Sequence, residues 1–224
     1  MPQRGIVMSN RAVIAGSSVV SFVPGVEAQD QTDIMNSIAL AQLTADKRFH
    51  RVQQMQAWFE AFVNTLVEVG WAPDDEMLDA TVPHKQVYDD LEEAALHNLQ
   101  GIKHASLRRS VKASIEVLRL NTVAQDIFES RSRSGAVAYY QFVPCEFRQA
   151  LGNYIYVSGM HITSRRDVKN ILFDGRTIRK TDVLDVGLGW SAFYLVRKDY
   201  DRYRDDVLKQ LAGLQDNFFR LLSH

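Results

Sequence analysis

The sequence of 224 residues predicts a single α+β domain: an N-terminal strand, a helical layer of about four helices, an antiparallel β-meander and a C-terminal helix. Three observations predict it. Apolar residues recur at three- and four-residue steps through most of the first 130 residues, the period of a helix face. From residue 135 the pattern changes to β-branched and aromatic runs separated by Gly-Asn and Asp-Gly turn signals. Past residue 199 the helical period returns. The chain therefore divides into a helix-rich part (28–130), a sheet-rich part (135–197) and a closing helix (199–222) of one domain.

The first element lies in RAVIAGSSVVSFVPGVEAQ, residues 11–29. A basic front, an apolar core and small residues after Pro24-Gly25 are also the layout of a secretory signal peptide. Ser17, Ser18 and Ser21 dilute that core, Gly16 breaks a helix, and Val19, Val20, Phe22 and Val23 suit a strand. The segment is expected to be a folded strand ended by a turn at Pro24-Gly25.

Ile34, Ile38 and Ala41 then share one helix face, and Val52, Met55, Phe59, Phe62, Leu66 and Val69 form a long stripe closed by Gly70. The two pieces form either one bent helix or a hairpin broken near Thr44–Lys47. A third helix, after Pro83, carries Val87, Leu91, Ala95, Leu99 and Ile102. A fourth is expected from Ser106 to Ser130 through Leu107, Val111, Ile115 and Leu118. It is apolar on a wide arc, because Leu120, Val123, Ala124 and Ile127 also need cover.

Three β-rich runs follow: AVAYYQFVPCEF, YIYVSGMHIT and VLDVGLGWSAFYLV. In the last, Leu184, Val186, Leu188, Trp190 and Ala192 alternate with Asp185, Gly187, Gly189 and Ser191, the pattern of an antiparallel sheet with one buried face. Asp199 is the expected N-cap of the closing helix, whose stripe runs through Tyr200, Tyr203, Val207, Leu211, Leu214, Phe218 and Leu221.

Composition narrows function mostly by exclusion. Net charge is −1, which does not predict a nucleic-acid binder. The single cysteine, Cys145, permits no intrachain disulfide and no Cys-based zinc site, and a cytoplasmic protein, or one exported without a cleaved signal, is expected. Mid-strand, Cys145 lacks the helix terminus or cation that activates a thiol, so it is expected to be buried and inert even with His161 on a neighbouring strand. His97 and His104, with Glu93, meet too little of a metal-ligand pattern to be a site. No glycine-rich phosphate loop and no nucleophile elbow is present, so no cofactor is expected.

Charge is unevenly spread. Residues 70–99 carry eight acids and one base, while 100–134 carry seven bases and three acids, and 165–180 six bases and two acids. Paired or solvated helix faces account for this. The alternative is a basic rim that meets an anionic surface, with Arg108, Arg109, Lys112, Arg165, Arg166 and Lys169 as its contacts.

The stretch SVVSFVPGVEAQDQTDIMNSIALAQLTADKRF, followed by WFEAFVNTLVEVGW, resembles a family of uncharacterised bacterial and fungal proteins sharing SFV-x-GV and Q-x-D-x-x-NS-x-x-LAQL-x-A-x-K. DYDRYRDDVLKQL is similar to that family's closing helix, so the resemblance spans most of the chain. It implies that residues 17–28 belong to the domain, and it carries no activity and no catalytic residue.

Three functional readings follow. The first is a non-enzymatic interaction or assembly module with a protein partner or a second copy, using Trp58, Trp71 and Trp190 as interface anchors. The second is a membrane-active, toxin-like or virulence-associated protein, because a strictly alternating strand beside amphipathic helices suits insertion into a bilayer. Its predicted architecture resembles that of small cytolytic α/β toxins at the level of fold. The third is an enzyme with a motif-free pocket near His161, Asp185 and Tyr156.

Overall fold

The computed structural model describes residues 11–74, 82–83, 104–165, 167–168, 183–213 and 218–222. Its elements are β1 (Arg11–Ala15), β2 (Ser18–Phe22), α1 (Ala28–Asp46), α2 (Met55–Glu68), β3 (Trp71–Pro73), β4 (Val82–Pro83), α3 (Ala105–Leu120), α4 (Thr122–Ser132), β5 (Arg133–Ser134), β6 (Val137–Arg148), β7 (Gly152–Ser164), β8 (Val183–Leu195), α5 (Arg197–Leu211) and β9 (Phe219–Leu222). The domain is α+β, as its sequence pattern predicts.

One mixed sheet organises it, in the order β3-β8-β7-β6-β2-β1-β9, with β4 on β8 and β5 on β6. The predicted meander is β6–β7–β8, antiparallel throughout. The predicted N-terminal strand is instead a hairpin, β1–β2, turning at Gly16, whose φ is +58°. Its second strand pairs parallel with β6, Val20 opposite Val143, so the sheet is not a pure meander. The hairpin lies inside the sheet between β6 and β9, which makes it part of the fold.

Both faces of this sheet are buried, which corrects the expectation of one solvated face and of a single helical layer. Side chains alternate along each strand. Ala12, Ile14, Ala138, Tyr140, Phe142, Tyr154, Tyr156, Met160 and Ile162 pack under α3 and α4. Val13, Val20, Phe22, Tyr139, Val143, Ile155, Val157 and Phe193 pack under α1, α2 and α5. The apolar residues on both faces of β6 and β7 are the reason: a strand buried twice has few positions left for water.

The helices differ from expectation in three places. Residues 47–54 separate α1 from α2, so this is a hairpin broken next to Lys47, and Gly70 ends α2 with φ +98°. The fourth helix is two, broken at Asn121 (φ −117°, ψ 90°), whose side chain accepts from the Ala124 N–H as an N-cap. The closing helix stops at Leu211, and Gly213 (φ +91°) precedes the edge strand β9, where Phe219 pairs with Ala15. Asp199 falls within the first turn of α5 rather than at its cap, Val196. The helix expected after Pro83 falls outside the described residues beyond β4.

Candidate functional site

The helical layer formed by α3 and α4 covers the apolar face of the meander. Leu107, Val111, Ile115 and Leu118 recur on one side of α3, each at most 1% exposed, and Ala124 and Phe128 continue the surface in α4. Phe128 stacks on Tyr140 with ring centroids 5.3 Å apart. Burying each of these large apolar side chains stabilises the layer by about 1.5–3 kcal/mol. Polar links from α3 to the sheet include the Ser21–Ser110 hydroxyl pair at 3.1 Å and the His104 Nδ1 to Glu146 Oε2 contact at 3.5 Å.

The outer side of α3 is cationic. Arg109 and Lys112 are exposed and Arg108 is half-buried, so these predicted contacts do share one surface. The α3–α4 corner is built to keep its shape. Gln125 Nε2 donates to the carbonyls of Leu118 (2.9 Å) and Arg119 (2.7 Å), closing the end of α3, while Asn121 caps α4. Leu120 and Val123 stand at this corner, 87% and 52% exposed. They need no internal cover because the break at Asn121 turns them outward.

A second apolar tip lies at the β6–β7 turn, where Phe147 and Leu151 are exposed. Just inside it, the Arg148 guanidinium sits 3.6 Å from the centroid of Tyr154 and donates to the Tyr156 hydroxyl and, at 2.7 Å, to Glu146. Tyr154 donates to Asp74. Burial pushes the phenols of both Tyr154 and Tyr156 up.

The opposite layer is fastened by charge. Asp33, 1% exposed on α1, accepts from Arg204 (3.1 and 2.9 Å), Arg197 (2.7 Å) and Gln29 (3.1 Å). Arg197 also reaches Asp30, and the Tyr200 hydroxyl donates to the Asp33 carbonyl. These bonds tie α5 to α1. At the other end of α1, Asp46 takes Arg51 at 3.0 Å to both oxygens and the Trp58 indole N–H at 2.7 Å. Gln42 donates to Ala15 O and Ser18 Oγ, joining α1 to the turn of the β1–β2 hairpin. Within this layer a Cβ on Gly159 would come 2.4 Å from the Tyr139 hydroxyl.

The other predicted positions separate. Arg165 is exposed, while Arg166 and Lys169 fall outside the described residues, as do His97 and Glu93. Trp58 and Trp71 are core residues, 0% and 1% exposed, and present nothing to a partner in this fold, whereas Trp190 is half-buried against the α3 side. Tyr156 and His161, five apart on one strand, face opposite sides of the sheet, so no pocket joins them. Cys145 is fully buried, donates to Val143 O at 3.3 Å, and its thiol is pushed well up by burial. It pairs with Ile155, six residues along β7 from His161 and hence about 20 Å away. Among the described residues no group of three or more His, Cys, Asp or Glu is placed to hold a metal, and no helix is long and apolar enough to cross a membrane.

Sequence reading missed the buried polar residues of α1. Their signal was present: Asp33, Ser37 and Gln42 run along α1 beside the apolar stripe of Ile34, Ile38 and Ala41. A polar row adjoining a buried row needs internal partners.

No family model matches the sequence, and no curated protein does. Among solved structures the chain is similar to a delta-endotoxin, with 17% identity, 87% of this chain and 88% of that one covered, and a TM-score of 0.49. It is also similar to the Evf virulence factor, with 11% identity, 92% and 82% covered, and a TM-score of 0.40. These are weak structural neighbours, and at these scores they carry no argument about function.

Proposed function

We propose that the protein is membrane-active: it meets an anionic bilayer through α3 and the α3–α4 corner, and then commits the β6–β8 meander to the lipid. One observation carries this reading. Three adjacent antiparallel strands of 12, 13 and 13 residues lie beneath a helical layer held mainly by apolar packing. A strand needs about 9–11 residues to span a bilayer when tilted. Apolar burial is non-directional, so hydrocarbon can replace the packing of α3 on the sheet, with the Ser21–Ser110 and His104–Glu146 links the polar contacts to be broken.

The two faces of the meander suit that exchange. Toward α3 the strands present Tyr140, Phe142, Met160, Ile162 and Ala192. Toward the other side, by register, lie Tyr139, Val143, Ile155, Val157 and Phe193 together with Gln141, Gly159, His161 and Thr163. Only the α3 side is offered to hydrocarbon in this reading, while α1, α2 and α5 keep the other face covered. Arg148, Tyr154 and Tyr156 near the turn match the aromatic and basic groups that settle at a bilayer interface. Arg109 and Lys112 supply the attraction to anionic lipid, worth about 1 kcal/mol per cation near the surface.

The assembly-module reading loses the observation that carried it, since two of its three tryptophan anchors are interior. The test is dye release from phosphatidylglycerol-containing vesicles against pure phosphatidylcholine vesicles. Release favoured by the anionic lipid, reduced by salt and by Arg109→Glu with Lys112→Glu, is expected. Absence of both binding and release on either vesicle overturns the proposal.

A further inference from the structure

The α3–α4 layer is not held evenly along its length. Arg51, in the connection between α1 and α2, reaches it from the opposite layer: Nη1 donates to the Arg131 carbonyl in the last turn of α4 at 3.2 Å. Arg51 is itself fixed. Its side chain is 4% exposed, Nη2 donates to Gln42 at 3.3 Å and to both oxygens of Asp46 at 3.0 Å, and the guanidinium lies 4.4 Å from the centroid of Trp58. The Arg131 guanidinium lies 4.8 Å from the ring centroid of the core residue Phe218. Buried Glu129 pairs with Arg133 at 3.3 Å, and Arg133 pairs with Asp167 at 3.3 Å.

The chain leaving this end of α4 is pinned as well. Arg133 and Ser134 pair with Ala138 and Val137 of β6. The Gly135 carbonyl accepts from Val168 N at 3.0 Å and the Ala136 carbonyl from Ser164 N at 2.8 Å. The links described above from α3 to the sheet are of another kind. Ser110 and Ser21 share a bond between neutral hydroxyls, and His104, whose side chain is 48% exposed, meets Glu146 at 3.5 Å. A hydrogen bond with a charged partner is roughly twice as strong as a neutral one, and an exposed ion pair adds little. At the corner, Gln125 bonds the last carbonyls of α3 and Asn121 caps α4, so the two helices keep their angle when one end lifts.

From this we infer that the α3–α4 layer is a lid hinged at the C-terminal end of α4, with Arg51 as its pin, and that it opens by lifting α3 while the last turn of α4 stays on the sheet. The use of the lid rests on the membrane reading: α3 goes to the lipid while Arg51 keeps the layer attached to the α1–α2 side. The hinge itself is a property of the protein in water.

The experiment is amide hydrogen exchange of the full chain, resolved by segment, first in solution. A helix as short as α3, lifted from its apolar support, is marginal in water, so its amides exchange when it opens. Residues 107–118 are expected to be protected roughly tenfold less than residues 128–132, the difference one charged hydrogen bond makes. Arg51→Lys keeps a cation beside Asp46 but has no fork to hold the Arg131 carbonyl as well. It is expected to speed exchange over 128–132 by about tenfold. Ser110→Ala is expected to speed 107–118 and leave 128–132 as they are. On phosphatidylglycerol-containing vesicles, protection is expected to be lost over 107–118 and kept over 128–132. Equal protection of the two segments in solution overturns the inference, as does exchange over 128–132 that Arg51→Lys leaves unchanged. Joint loss of both segments on vesicles overturns it too. Failure to bind vesicles overturns the membrane reading alone, and the order of exchange in solution then decides the hinge.

Discussion

The two helical layers cover the same sheet by different means. The α1–α2–α5 layer is fastened by ion pairs and side-chain bonds at defined atoms: Asp33 to Arg197 and Arg204, Asp46 to Arg51, Gln42 to Ala15. The α3–α4 layer lies on the sheet through Leu107, Val111, Ile115, Leu118 and Phe128, and its polar links include Ser21–Ser110, His104–Glu146, Glu129–Arg133 and the Arg51 bond to the Arg131 carbonyl. The difference is one of exchangeability. Lipid can replace an apolar contact at little cost, but it offers nothing to a buried carboxylate. In the proposed membrane reading, the ion-paired side stays and the apolar side is the one exchanged for lipid.

Three perturbations break or sharpen that contrast. The largest effect is expected at Asp33. Asp33→Ala removes the acceptor shared by two arginines and is predicted to lower unfolding stability by about 3 kcal/mol or more in urea titrations. A loss under 1 kcal/mol would remove the distinction between the layers.

Alkaline pH acts on the same clamp. Burial beside α1 pushes the Tyr200 phenol up to about 12, above its ordinary value of 10. The protonated form is favoured in the folded state, so its contribution is whole below pH 10 and is lost as pH rises from 10 to 12. That loss amounts to about 2–3 kcal/mol. Tyr200→Phe is predicted to flatten this part of the stability profile; an unchanged slope in that window would contradict the assignment.

The smallest effect is expected on the α3 side. Ser110→Ala removes one hydroxyl from a pair and is predicted to cost about 1 kcal/mol or less, because the apolar packing remains. Amide exchange in α3 should nonetheless quicken relative to α1, and equal protection of the two helices would show that they are not separate layers energetically.

Local periodicity made some of this legible in advance. The stripe of Phe59, Phe62 and Leu66 and the turn at Gly152 each follow from a few neighbouring residues, and α2 and the β6–β7 hairpin lie where those residues place them. The parallel pairing of β2 with β6 does not, since Val20 and Val143 meet across more than a hundred residues and nothing near either marks the pairing. The break at Asn121 was hidden by Leu120 and Val123, which continue the apolar pattern while pointing outward. The stripe through Phe218 and Leu221 has a helical spacing, yet the helix ends at Leu211, Leu221 lies in β9 and Phe218 is a core residue just before it. In the candidate site, the basic residues Arg108, Arg109 and Lys112 were visible from charge alone. The polar fasteners of the opposite layer were not, because Asp33 and Gln42 look like ordinary helix-surface residues until their partners on α5 and at the β1–β2 turn are known.

The central claim is that α3 must leave the sheet for the protein to act on a bilayer. Ser21 and Ser110, with hydroxyls 3.1 Å apart, are close enough to be replaced by a disulfide. The native Cys145 is buried and does not compete. The measurement is dye release from anionic vesicles by the Ser21→Cys, Ser110→Cys protein, oxidised and then reduced. The account predicts that the oxidised protein binds vesicles without releasing dye and that reduction restores release. Equal release by the oxidised and reduced forms would contradict it.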